Sequence, residues 1–84
     1  MTKFEEAVKI IANEYKEDCE ELDCSIRELF KCWQYDNKDM KNDFVDILYN
    51  ANFNDFTEDG EILGEGNKVY TLRQLAKAVR DYQF

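Results

Sequence analysis

Phe4, Val8, Ile11, Tyr15, Cys19 and Leu22 recur at spacings of four, three, four, four and three residues. That is the period of one helix face, and it does not match the alternation of a strand. Ahead of the stripe, Thr2 and Glu5 form a Thr-x-x-Glu capping box, in which each side chain satisfies a backbone N–H that the first turn leaves free. The spacing predicts a helix from Lys3 to Leu22. At 1.5 Å per residue such a helix is about 30 Å long, roughly the diameter of a small domain. In a chain of 84 residues it must cross the whole molecule, and everything else has to pack around it.

Similar signals follow downstream. Ser25 and Glu28 make a second capping box, and Ile26, Leu29, Phe30 and Trp33 mark one face of a short helix ending near Tyr35. Asp36 and Asn37 offer a turn and a new N-cap, after which Met40, Phe44, Ile47, Leu48 and Ala51 repeat with helical period. All three glycines fall between Asn52 and Gly66. There, Ile62-Leu63 and Lys68-Val69-Tyr70 flank Gly64-Glu65-Gly66-Asn67, the pattern of two short strands in a hairpin. Thr71 and Gln74 form a third box, and Leu72, Leu75, Ala76, Val79 and Tyr82 define a last helix running to the C-terminus. The expected fold is α+β and mostly α: three N-terminal helices, a short β-hairpin and one C-terminal helix. It forms a single domain over residues 1–84, because so few side chains cannot close two cores. Trp33 is expected in that core, where a small domain gains area from aromatics. Tyr35 is open to either core or interface.

Charge sets the second constraint. Nineteen acids against eleven bases give a net charge of −8, which opposes any role that depends on general attraction to phosphate or to anionic lipid. Residues 1–24 carry −5, 25–51 carry −1, 52–70 carry −4 and 71–84 carry +2. On the first helix Glu6, Glu14, Glu17 and Glu21 cluster opposite the apolar stripe, with Ile10 expected in the middle of that acidic face as its one stranded aliphatic side chain. On the third helix Asp36, Asp39, Asp43 and Asp46 stack along one side, with neighbouring Cβ atoms about 5 to 6 Å apart. That spacing is broadly similar to the spacing of phosphates along one nucleic-acid strand. An ordinary solvated helix face also looks like this. Arg73, Lys77 and Arg80 line one face of the last helix, placed either to pair with the acidic body or to meet a partner.

Chemistry is scarce. The chain has no histidine, which removes the commonest general base and metal ligand, and no Gly-rich phosphate loop precedes a Lys-Ser or Lys-Thr pair. Cys19, Cys24 and Cys32, at spacings of five and eight, match no zinc pattern. They read as buried small hydrophobes or incidental thiols, which a reducing compartment is consistent with. Asp55, Thr57, Asp59, Gly60 and Ile62 resemble the opening of an EF-hand loop, but Gly66 stands where the bidentate glutamate belongs. No enzyme activity, metal or cofactor is expected. With no apolar run long enough to span a bilayer and no signal-like N-terminus, the expected location is cytoplasmic.

In its size, acidity, lack of histidine and proline, and acid-striped helices around one hairpin, the chain resembles small accessory proteins of phages and mobile elements. Some of these, of the anti-CRISPR and anti-restriction type, occupy the basic channel of a nucleic-acid enzyme. The resemblance implies a non-catalytic inhibitor or modulator that docks on a basic protein surface without touching nucleic acid or membrane itself. Glu6, Ile10, Glu14, Glu17, Glu21, Asp39, Asp43 and Asp46 are the residues expected at that contact. The alternatives are a winged-helix-like DNA-binding domain using the basic last helix, or a component that self-associates.

Overall fold

Each helix starts at a side chain that closes its own first turn. In the computed structural model, which describes all of residues 1–84, the elements are α1 (Lys3–Leu22), α2 (Ile26–Trp33), α3 (Asn37–Asn50), β1 (Ile62–Leu63), β2 (Val69–Tyr70) and α4 (Leu72–Arg80). Their order and type are those the sequence predicts. Thr2, Ser25 and Thr71 accept from the amides of Glu5, Glu28 and Gln74, whose side chains reach back to the cap amides. A fourth such box joins Asp36 and Asp39 at the head of α3, where the Asp39 amide donates to Asp36 Oδ1 at 2.8 Å. Ser25→Ala is expected to lower stability by about 1 kcal/mol, read as a lower denaturant midpoint at an unchanged slope.

α1 and α2 stop abruptly, on left-handed residues Asp23 (φ 51°) and Gln34 (φ 57°). The next amide in each case turns back into the helix, Cys24 to the Cys19 carbonyl at 3.0 Å and Tyr35 to that of Phe30 at 3.0 Å, the Schellman arrangement. α2 therefore ends at Trp33, short of Tyr35, and α4 ends at Arg80, leaving Tyr82 outside the helix. These tight stops bring three consecutive helices together with almost no loop.

The hairpin is antiparallel, with Ile62 opposite Tyr70 and Leu63 opposite Val69, and Phe56 forms a further bridge to Ile62. The EF-hand-like segment folds as a turn closed on itself. The Thr57 amide donates to the Glu61 carbonyl at 2.9 Å, and the Glu61 amide donates to the Thr57 hydroxyl at 3.2 Å. Gly60, buried at φ 82°, lies so near α4 that a Cβ there would come within 2.9 Å of Leu72 Cδ1. Glycine serves here both the left-handed backbone and the close approach.

α1 lies at the centre and packs against α2, α3, α4 and β1. Ile11, Phe44, Leu48, Ile62, Leu75 and Val79 are fully enclosed, and no polar or charged residue is buried among them. Two large side chains of the predicted apolar faces lie outside the core. Leu22 is 59% exposed and Trp33 is 40% exposed, because each is the last residue of its helix and the left-handed stop that follows carries the chain away. Trp33 rests on the rim of an aromatic cluster instead, 6.0 Å from the Tyr15 ring and 5.2 Å from that of Tyr35.

Candidate interaction surface

The acids of α1 and α3 meet around two phenols. Tyr15, buried on α1, is raised well above the ordinary tyrosine range by burial first and then by the fields of Tyr35, Asp43, Glu14 and Asp18. Tyr35, between α2 and α3, donates its hydroxyl to Asp43. Burial, then that hydrogen bond and the fields of Asp43, Asp39 and Asp18, push it up to about 12. Carboxylates of α1 (Glu14, Asp18) and of α3 (Asp39, Asp43) thus act on the same pair of rings. Trp33 borders the same two rings, so these four carboxylates and one indole surround a single aromatic pair.

The eight residues expected at the contact play different parts in it. Asp39 accepts from the Asp36 amide as a member of the α3 cap, and Asp43 is the half-buried acceptor of Tyr35, so neither is a freely presented charge. Asp46 is exposed and borders a shallow cavity with Tyr49, Phe53 and Phe56. The four ion pairs of the molecule, Lys3–Asp55, Lys16–Glu20, Arg27–Asp81 and Lys77–Asp81, leave Glu6, Glu14, Glu17 and Glu21 unpaired. All four are exposed.

Ile10 requires a correction. It is not stranded among the acids but half-buried against the core. Lys3 lies on the same side of α1, since seven residues are almost two turns. Its Nζ pairs with Asp55 at 3.3 Å and its amide donates to Glu65 at 3.0 Å. The segment entering the hairpin and the hairpin turn therefore meet the first turn of α1 on that flank.

The basic stripe on α4 does not present three free cations. Lys77 pairs with Asp81 at 3.0 Å, Arg80 is half-buried, and Arg73 alone is exposed without an ion pair. Of the cysteines, Cys19 is buried, Cys24 half-buried and Cys32 exposed. Burial, and after it the neighbouring Cys24, holds the Cys19 thiol above its usual range. No group of histidines, cysteines and acids is arranged to hold a metal ion, and no helix is long and apolar enough to cross a membrane.

The Tyr15 hydroxyl is enclosed without a hydrogen-bond partner. An unsatisfied buried hydroxyl costs about 1 to 3 kcal/mol, so Tyr15→Phe is expected to stabilise the fold by about 1 kcal/mol at neutral pH. The raised phenol also predicts alkaline loss of stability. The folded state favours the protonated ring, so this contribution is complete below the unfolded pKa of about 10 and falls as pH rises above it. Thermal melts between pH 8 and 11 check both effects: Tyr15→Phe should melt higher and show a shallower alkaline decline.

Comparison of the chain with protein-family models, with curated proteins and with solved structures finds no match.

Proposed function

We propose that the chain is a non-catalytic binding protein that docks its acidic surface on a basic surface of another protein, and that this partner handles nucleic acid. The observation that carries the reading is the set of unpaired, exposed glutamates on α1, together with the four carboxylates of α1 and α3 around the Tyr15 and Tyr35 rings, which Trp33 borders. Such an arrangement offers what a basic channel evolved to hold: closely spaced negative charge, with an aromatic ring at hand for hot-spot contact or for a cation over its face. Occupying the channel would inhibit or modulate the enzyme, as small phage-type accessory proteins do. The charge also favours fast, steered encounter with a cationic surface.

The test is capture from a cell lysate on the immobilised chain, followed by competition. A partner of this kind should bind at low salt and be released as the screening length shortens from about 10 Å at 0.1 M to 3 Å at 1 M. Duplex or single-stranded nucleic acid should then displace the chain from the purified partner. Binding that ignores both salt and nucleic acid would sink the reading.

A further inference from the structure

Basic residues concentrate on the last helix and on a helix it packs against. α4 carries Arg73, Lys77 and Arg80 with no acid, and α2 carries Arg27 and Lys31 with one, Glu28. The two helices pack together, and beside them opens a cavity of about 530 Å³ lined by Arg27, Phe30, Lys31, Tyr35, Met40 and Arg80. This face already attracts one carboxylate of the chain itself. Asp81 is paired with Arg27 and with Lys77, which hold its carboxyl below the usual range.

Arg80 has no such partner. It is half-buried, and its Nε is closed off from solvent with nothing to receive its proton. Its polar contact is a weak one, from Nη1 to Met40 Sδ at 3.8 Å. A molecule with nineteen acids therefore leaves a half-buried guanidinium, its Nε enclosed, without an anion. Enclosing a cation is costly unless a counter-charge reaches it, and a guanidinium fork is shaped for two oxygens of one oxyanion.

We propose that the cleft between α2 and α4 is an oxyanion site, in which Arg80, Arg27 and Lys31 take the phosphate of a small phosphate monoester. Arg80 and Lys31 form no ion pair and Arg27 shares Asp81 with Lys77, so the cavity holds two unpaired cations and a third only partly neutralised, which suits a group that carries close to two negative charges at neutral pH better than a carboxylate with one. The cavity exceeds a phosphate ion in size, and Phe30 and Tyr35 in its wall offer ring surface to the organic part. A small ligand is favoured over a nucleic-acid strand because the net charge of −8 repels a long polyanion as a whole.

The experiment follows the arginine Nε–H signals in ¹⁵N-correlated NMR during titration with inorganic phosphate, phenyl phosphate and benzoate, each at matched ionic strength against sodium chloride. The Arg80 signal should move saturably with both phosphates, several-fold more tightly for phenyl phosphate, and at least tenfold more weakly for benzoate. Arg80→Gln should abolish saturable binding. The Arg27→Gln/Lys31→Gln double variant, which alters only exposed side chains, should weaken it at least tenfold whether or not Arg80→Gln folds. Shifts no larger than those with chloride, equal binding of benzoate, or undiminished binding by the double variant would each overturn the proposal.

Discussion

Phe44→Ala is expected to destabilise the domain by about 3 to 5 kcal/mol, the range for removing a buried aromatic ring and leaving its cavity. Phe44 is completely enclosed, with its ring centroid 6.5 Å from that of Tyr15 on α1 and 6.2 Å from that of Phe30 on α2. It is the point where three helices share one contact. A domain of this length holds roughly 4 to 12 kcal/mol in total, at about 0.05 to 0.15 kcal/mol per residue, so the substitution consumes much of its stability. The melting temperature should fall by on the order of 20 °C, given about 4 to 8 °C per kcal/mol in small domains. Trp33→Ala, at a ring that stays 40% exposed, should cost far less. Chemical denaturation of both variants makes the comparison, and a Phe44→Ala loss no greater than that of Trp33→Ala would mean that the aromatic cluster is not the centre of the core.

The contrast between these rings shows what could be read from the chain and what could not. Helical period placed Phe44 correctly because it lies mid-helix, where the face alone decides burial. Period also placed Trp33 and Leu22 inside, and there it failed, since burial at a helix end depends on the direction the chain takes next. Asp23 and Gln34 set that direction, and neither is a glycine that would have advertised a left-handed stop. Four capping boxes carried the helix starts, and three were legible as Ser or Thr followed by Glu or Gln. In the fourth, Asp36 was legible as an N-cap, but its partner Asp39 looked like part of an acid stripe, because the same carboxylate serves a cap and a charged face equally well. Ile10 was misplaced for a related reason: it packs partly against the core, and one helix's periodicity does not announce how the other elements will lie against its flanks. How the α1 glutamates sit relative to the carboxylates of α3 depends on the crossing of the two helices, which only tertiary packing determines.

Reversing Glu17 and Glu21 to lysine is expected to weaken partner binding at least about thirtyfold at low salt, equivalent to about 2 kcal/mol. Both glutamates are exposed and outside every ion pair, so the fold makes no use of them. The last turn of α1 holds no basic residue, although the negative end of a helix dipole favours cations there. The double substitution should therefore melt at a slightly higher temperature while binding worse, a combination that partial unfolding cannot produce. Asp39 and Asp43 are unsuitable for this test, because one caps α3 and the other holds Tyr35. The matched control is Glu58→Lys/Asp59→Lys in the exposed turn before the hairpin, which shifts the net charge by the same four units, from −8 to −4. If contact is made through the α1 glutamates, the α1 variant should lose far more affinity than the turn variant, and the gap should narrow as salt shortens the screening length. Equal losses would show that overall charge attracts the partner without a defined contact, and no loss in either would remove the acidic surface from the function altogether.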